Sequence, residues 1–451
     1  MSVPLRVRLQ SLGCRLNEAE LESWAEAFCR LGLRVVADGE PADLVVINTC
    51  AVTQESARKS RQMVRRGRRL DPGARLVVSG CLATLEPNAF GQGPDLVIAN
   101  RDKDRLAEIA IHALDLSGGA GRETGAPAEL LFARGRQRAF VKVQDGCRHR
   151  CTFCVTTLAR GAERSRPIAE VVAQVNGLAE SGIREVVLTG VHLGGYGRDL
   201  DPNPSTDLAD LVRALLADTD LPRIRLGSLE PWDLPAGFWD LFADRRLMPH
   251  LHLPLQSGSD RILRRMGRRC RTGAFTRLAA EGRAAVPALN LGTDIIVGFP
   301  GETASDWGET LAFVEAIGFG QIHAFPYSPR LGTPAASLSD QVDAATQRVR
   351  AQELTRLADR LRRQVLETQV GTRAAVLREQ APRSAVPGEL FGYTPNYLPV
   401  RIDPDPDAPP IGEIVEVQIR GLTADGAMLR GRSVGPAWLG FAPDCDLCLT
   451  P

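Results

Sequence analysis

The chain has 451 residues, 44% hydrophobic and 24% charged, with a formal net charge of +1, the composition of a globular protein with room for about three domains. A near-neutral balance excludes a global field for nucleic acid, so any basic surface is local, and no apolar run reaches the ~18 residues of a membrane span. Ten cysteines, behind an N-terminus without the apolar core of a signal peptide, read as free or metal-bound thiols in a reducing cytoplasm.

From Val7 short apolar runs alternate with helical patterns, the signature of a parallel α/β unit. Strands are predicted at Val7–Leu12, Asp43–Asn48, Arg75–Ser79 and Asp95–Ala99, and helices at Glu18–Leu31, Thr53–Leu70 and Asp102–Leu114. Cys14, Cys50 and Cys81 each sit just past the carboxyl end of a strand. In an open parallel sheet, here expected to be flavodoxin-like, those ends share one edge where ligands bind. Three thiolates far apart in sequence would converge there. The competing reading is chance placement of buried cysteines, which suits Cys29, mid-helix among Ala25, Phe28 and Leu31. A Gly-, Ser- and Pro-containing stretch, 119–136, then reads as a linker.

A buried strand, Ala139-Phe140-Val141-Lys142-Val143, leads into Gly146-Cys147-Arg148-His149-Arg150-Cys151-Thr152-Phe153-Cys154. Three thiolates in this C-x3-C-x2-C spacing can grip three irons of a cubane cluster and leave the fourth open. The methionine end of S-adenosylmethionine (SAM) can chelate that iron, and reductive cleavage then releases a 5′-deoxyadenosyl radical. Here the chain resembles the radical-SAM superfamily, including the aromatic Phe153 before the last cysteine. The alternative is zinc on Cys147, Cys151, Cys154 and His149. Zinc sites usually pair two ligand clusters about a dozen or more residues apart, and no second cluster follows nearby.

Beyond the loop, strand and helix signals alternate, with strands ending at Cys147, Gly190, Glu230, Ser257, Gly298 and Tyr327 and a last long helix near Gln341–Thr368. A partial (β/α)6 barrel fits, with site residues at the carboxyl ends of its strands. Those ends carry Thr189, Gly190 and His192, then Glu230, then Gln256 and Ser257, then Asp294 and Gly298. Any one of these is compatible with a plain turn; together with Phe153 they look like a SAM pocket. His149, His250 and His252 have no partners at ligand spacing and read as structural.

Arginine is dense after Cys50, at Arg58, Arg61 and Arg65, and again at Arg160, Arg164 and Arg166. A solvated helix face explains any single run; nearness to both cysteine sites points to an RNA phosphate surface. From Gly371 the pattern switches to short strands, Arg373–Leu377, Tyr397–Ile402, Glu413–Ile419 and Gly426–Leu429. These suit a small OB-like β-barrel, a common platform for single-stranded RNA. Tyr393 and Tyr397 are placed for stacking on bases, with core packing as the alternative. Cys270 and the lone Cys445-Asp446-Leu447-Cys448 carry no signal of their own.

Taken together, Leu12-Gly13-Cys14 with Asn17, Asn48-Thr49-Cys50-Ala51-Val52-Thr53, Ser79-Gly80-Cys81 and Gln144-Asp145-Gly146-Cys147 resemble the radical-SAM methylthiotransferases across essentially the whole chain. The segment from Leu188 to Gly197 and Ser228–Pro231 resemble most closely the branch acting on N6-threonylcarbamoyladenosine beside the tRNA anticodon. The isopentenyladenosine branch typically carries Gly-Gln-Asn where this chain has Gly190-Val191-His192, and the branch acting on a ribosomal-protein aspartate also differs there. One departure is Val155-Thr156-Thr157-Leu158, where the family often has Val/Ile-Val/Ile-Pro-Tyr.

The resemblance implies a methylthiotransferase domain over 1–118, a radical-SAM core over 137–370, an RNA-binding TRAM barrel over 371–440 and a tail over 441–451. It implies two [4Fe-4S] clusters, one on Cys147, Cys151 and Cys154 and an auxiliary one on Cys14, Cys50 and Cys81, with SAM as co-substrate. The implied partner is the anticodon stem-loop of ANN-decoding tRNAs carrying threonylcarbamoyladenosine at position 37, with a flavodoxin- or ferredoxin-type reductant and an external sulfur source. Rival expectations are methylthiolation of isopentenyladenosine or of a ribosomal-protein aspartate, and, from another class, a non-enzymatic two-cluster carrier or sensor. The last would need neither the SAM-type strand ends nor an OB-like tail.

Overall fold

The computed structural model describes residues 4–116, 137–200, 206–381, 388–407 and 409–436. The expected linker at 119–136 and the tail with Cys445 and Cys448 lie outside the described residues. The chain divides into two compact units, at Val365 and Leu366.

The first unit opens with β1 (Arg6–Ser11), α1 (Arg15–Arg30), β2 (Arg34–Val36), β3 (Leu44–Thr49), α2 (Gln54–Leu70), β4 (Arg75–Gly80), α3 (Cys81–Leu85), β5 (Leu96–Val97) and α4 (Leu106–Ala113). The strands form a parallel sheet in the order β2-β1-β3-β4-β5. All six β3 residues are buried because both faces are covered. Leu44 and Val46 pack with Trp24, Phe28 and Leu106 of α1 and α4. Val45 and Ile47 pack on the other face with Val64 of α2, the alternation a strand dictates. A capping box of Thr53 and Ser56 starts α2 just after Cys50. β2 is absent from the predicted strands, being an edge strand of three residues with too little pattern to read.

The same unit continues with β6 (Ala139–Lys142), β7 (Gln144–Asp145), α5 (Thr156–Arg160), β8 (Arg164–Ser165), α6 (Ile168–Glu180), β9 (Glu185–Thr189), α7 (Leu208–Asp218), β10 (Arg223–Leu226) and β11 (His250–His252). It closes with α8 (Asp260–Arg265), α9 (Thr272–Ala285), β12 (Asn290–Val297), α10 (Ala304–Ile317), β13 (Gln321–Pro326) and α11 (Ala344–Glu367). Two three-stranded parallel sheets, β6-β9-β10 and β11-β12-β13, are linked by parallel bridges Ile224–Leu247 and Ser228–His252. Six parallel strands thus follow one another in chain order around Val141, Leu188, Leu226, Leu251 and Ile295. The first strand stops at Lys142 rather than running on to Cys147. Beyond it β7 pairs antiparallel with β8, and this clip closes the cysteine loop.

The second unit is a closed five-stranded barrel of β14 (Arg373–Glu379), β15 (Leu390–Tyr393), β16 (Pro399–Ile402), β17 (Ile414–Leu422) and β18 (Leu429–Pro436). Closure leaves no free sheet edge. Val376, Val400, Val415, Val417 and Leu429 fill its interior. Tyr393 ends β15, and Tyr397, expected to open a strand, lies in the loop before β16 with φ +66°.

Candidate functional site

Cys14 caps α1 directly after β1, Cys50 follows β3, and Cys81 starts α3 directly after β4. The three strands are adjacent and in register, with Ser11 opposite Asn48 and Asn48 opposite Ser79. Their carboxyl ends therefore bring the three thiols to one edge. Gly80, at φ +98°, makes this approach possible, since a Cβ there would fall 2.4 Å from the Thr49 carbonyl oxygen. Ser60 fixes Cys50 by accepting its N–H at 3.0 Å and donating to its carbonyl at 3.1 Å. The Cys14 thiol donates to Asn17 Oδ1 at 3.6 Å, and Asn100 Nδ2 donates to Cys81 Sγ at 3.8 Å. Burial pushes the Cys50 thiol up, and Cys81 adds to the rise.

The second triad is held differently. A Cβ on Gly146 would fall 1.9 Å from the Ala162 carbonyl oxygen, so only glycine lets the loop return this closely on itself. The His149 and Thr156 N–H groups donate to Cys147 Sγ and Cys154 Sγ, each at 3.4 Å, and Arg268 Nη1 donates to Cys151 Sγ at 3.8 Å. Burial pushes Cys147 to about 12, with Cys154, Glu230 and Cys151 adding. Three crowded thiols with N–H donors aimed at sulfur form a donor set that gains most from a cationic partner, and it fits a cluster bound by three cysteines. His149 Nε2, one of the two ring nitrogens that a Cys3His zinc site could use, faces His192 and Asp233.

A cavity of about 190 Å3 adjoins the second triad at Cys154 and the chain just past Cys50. Val52 and Thr53, just after Cys50, line it together with Phe153 and Cys154 of the second loop and with Gln256 and Asp294 of the barrel. Ser328 accepts the Gln54 N–H at 3.0 Å and ties the N-terminal sheet to the barrel rim. Gln256 adopts φ +80°, a strained value for a non-glycine residue. Burial works to raise the Asp294 carboxyl, but hydrogen bonds from His252 and His323, at 3.0 and 3.1 Å, outweigh it and hold the group low.

Of the residues expected around SAM, Phe153, Gln256 and Asp294 line this cavity. Thr189 and Gly190 end β9, where Gln144 Oε1 accepts the N–H groups of Val191 and His192 at 3.0 and 2.8 Å. Glu230 pairs with Arg268 at 2.7 Å, and the buried Ser257 hydroxyl accepts the Ser259 N–H at 3.2 Å. Gly298, at φ +70°, donates its N–H to Glu302. His192 is fully buried, with Nδ1 2.6 Å from Glu163 Oε1.

The arginines divide. Arg58 is exposed and paired with Glu55, Arg61 lies 3.8 Å from Glu86, and Arg65 is exposed. Arg164 is exposed and 3.7 Å from Asp145, while Arg166 is half-buried against the Lys142 carbonyl and Gln174. Arg160 corrects the sequence reading, since its side chain is only 2% exposed and cannot meet a phosphate. It bonds Glu20 and Asp145 at 2.8 and 3.0 Å and Asn17 Oδ1 at 2.8 Å, and Lys103 completes the buried ion cluster. Its neighbour Ala159 accepts a bond from Asn100 at 2.8 Å. The helix that begins just after Cys154 therefore ends against the residues around Cys14 and Cys81.

His149 and His252 are a second correction, since both have polar partners. They come from separate βα units, which ligand spacing cannot show. In the barrel unit Tyr393 and Tyr397 stack on each other, ring centres 4.8 Å apart and 16° from parallel.

Residues 6–99 match the family described as "Uncharacterized protein family UPF0004", and residues 141–314 match the Radical SAM superfamily. The chain is 34% identical to the threonylcarbamoyladenosine tRNA methylthiotransferase MtaB of Bacillus subtilis, over 92% of this chain and 93% of that one. It is 32% identical to the protein of the same name from Thermotoga maritima, over 94% and 96%. It is 35% identical to the tRNA-2-methylthio-N(6)-dimethylallyladenosine synthase of Novosphingobium aromaticivorans, over 92% and 95%. Among solved structures it shares the fold of the radical S-adenosylmethionine methyltransferase TsrM of Kitasatospora setae, with a TM-score of 0.54 at 18% identity, over 84% of this chain and 79% of that one.

Proposed function

The chain belongs to the radical-SAM tRNA methylthiotransferases, enzymes that transfer methylthio groups, and on that footing we propose that its substrate is N6-threonylcarbamoyladenosine at position 37 of tRNA, converted to the 2-methylthio derivative. The observation that carries the chemistry is the cavity lined from both sides, by Val52 and Thr53 beside Cys50 and by Phe153 and Cys154. A base placed there lies against Cys154 of one triad and against Val52 and Thr53, which follow Cys50 of the other.

Cys147, Cys151 and Cys154 would hold the cluster that binds SAM, and Cys14, Cys50 and Cys81 the auxiliary one. When bound, these groups supply a 5′-deoxyadenosyl radical and a methylated sulfur, chemistry that a C2–H bond on an aromatic ring needs. The chain's own residues then position and exclude. Phe153, wedged edge-on 6.5 Å from Phe299, walls the cavity. Gln256 and Asp294 offer polar contacts on the barrel side. Entry requires the base to leave the anticodon-loop stack, as RNA readers generally require, and the Arg58, Arg61 and Arg65 face beside Thr53 is placed to meet the backbone. The C-terminal barrel, with Tyr393 and Tyr397, serves as the RNA-binding TRAM module.

Gly190-Val191-His192 and the Bacillus and Thermotoga relatives support threonylcarbamoyladenosine; the Novosphingobium relative supports the isopentenyl substrate. Incubation of reconstituted protein with SAM, reductant and each modified anticodon stem-loop, followed by nucleoside mass spectrometry, decides. A methylthio product on the isopentenyl stem-loop alone overturns the substrate assignment.

A further inference from the structure

Three side chains from separate parts of the barrel meet beside the C-x3-C-x2-C loop: His149 on the loop, His192 after β9 and Asp233 after β10. His149 Nε2 lies 3.0 Å from His192 Nε2 and 3.0 Å from Asp233 Oδ2, and His192 Nε2 lies 2.8 Å from the same oxygen. All three side chains are buried. With Asp233 ionised, no placement of protons makes all three contacts favourable. If both imidazoles carry Nε2–H, each bonds the carboxylate but the two N–H groups oppose each other. If only one carries it, the other nitrogen and the carboxylate oppose lone pairs. A cation on the face of the triangle makes all three contacts favourable.

The surroundings are those of a ligand set. His192 Nδ1 lies 2.6 Å from Glu163 Oε1, so a carboxylate fixes the tautomer and leaves Nε2 to coordinate. Glu163 is itself held by Arg148. Arg198 takes the other oxygen of Asp233 at 3.1 Å. A cavity of about 310 Å3 adjoins His149, Trp232 and Cys151.

We propose that His149, His192 and Asp233 bind one divalent transition-metal ion, distinct from the iron–sulfur clusters, that ties the cysteine loop to the ends of β9 and β10. Two imidazoles and a carboxylate plus water suit zinc; the same donors also take ferrous iron. The role is positional. His149 sits between Cys147 and Cys151 in sequence, and its own N–H donates to Cys147 Sγ, so anchoring the imidazole anchors the loop.

The test uses full-length protein reconstituted anaerobically so that all six cluster cysteines are filled, then given one equivalent of Zn2+ and desalted. About one zinc per chain is expected, with nitrogen and oxygen scatterers near ~2.0 Å and no sulfur near ~2.3 Å in zinc X-ray absorption. Asp233→Asn and His192→Gln should lose it. Glu163→Gln keeps every ligand and should weaken zinc binding roughly 10–100-fold. A sulfur shell, or full zinc in Asp233→Asn, overturns the proposal. Should Asp233→Asn fail to fold, unchanged zinc affinity in Glu163→Gln overturns it instead. A ferrous, non-cluster iron in Mössbauer spectra of the untreated protein that Asp233→Asn lacks would support the site with iron as occupant.

Discussion

Arg160→Met probes the joint between the two cysteine triads. The side chain is 2% exposed and bonds Glu20 and Asp145, which are themselves 1% and 4% exposed. Removing one member of a buried ion cluster typically costs about 3–5 kcal/mol, because the remaining charges stay desolvated. Lys103 still contacts both carboxylates, so the loss should fall at the lower end, about 3 kcal/mol. For a large cooperative unit that corresponds to a fall in Tm of about 6 °C. The pH dependence has a definite sign. Burial works to raise Glu20, but Arg160 and Lys103 outweigh it and hold the carboxyl at about 2, below its ordinary 4.5. A depressed carboxyl contributes stability above its unfolded value and loses it as pH falls toward the folded one. The gap between wild type and Arg160→Met should therefore narrow from pH 4.5 down to about 2. Anaerobic thermal melts followed by circular dichroism, at pH 7 and through that window, measure both effects. A variant that melts within about 1 °C of wild type at pH 7, where roughly 6 °C is expected, would refute the reasoning.

Cys50→Ala should cripple the auxiliary site and leave the other intact, so the variant should still make 5′-deoxyadenosine from SAM but no methylthio product; Cys151→Ala should lose both, as mass spectrometry of the two products will show. Near wild-type methylthio transfer by Cys50→Ala would remove the N-terminal triad from the role given it. Gly146→Ala forces a Cβ to within 1.9 Å of the Ala162 oxygen, and iron analysis after reconstitution should show about half the wild-type content, taking four irons per cluster. Deleting residues 371–451 should weaken binding to an anticodon stem-loop, with a shallower salt dependence, while dithionite-driven SAM cleavage stays nearly unchanged. Equal affinity in a filter-binding or anisotropy assay would show that the RNA surface lies elsewhere.

What the sequence made legible is what repeats locally. Cys14, Cys50 and Cys81 each follow a strand, and strand ends in a parallel sheet share an edge, so the triad's convergence was readable before any coordinates. Gln256 was picked out by its predicted strand end and Phe153 by the resemblance of the cysteine loop, whereas Asp294, also expected at a strand end, lies inside β12. Arg160 was not, because a dense arginine run looks alike whether it faces solvent or a buried carboxylate. Its partners Glu20 and Asp145 are 140 and 15 residues away. His149, His192 and Asp233 are spaced by 43 and 41 residues, one contribution from each successive strand-and-loop unit, and no short motif records that. Glu185, Arg223 and Arg225 form a fully buried ion group on neighbouring strands, where alternation alone predicts apolar residues. Charges that satisfy one another across strands erase the hydrophobic pattern by which a core is recognised.

The helix Thr156–Arg160 bears on how such a protein can be divided or recombined. Its last two residues reach Asn100, Asn17 and Glu20, all within the first hundred or so positions. A fragment ending before residue 137 would carry Glu20 and Lys103 without Asp145 and Arg160, leaving two buried charges of the set facing water and Asn100 without its carbonyl acceptor. A chimera joining the first hundred residues of one homologue to the barrel of another inherits half of this cluster from each parent. It should fold well only when Glu20, Lys103, Asp145 and Arg160 arrive as a matched set.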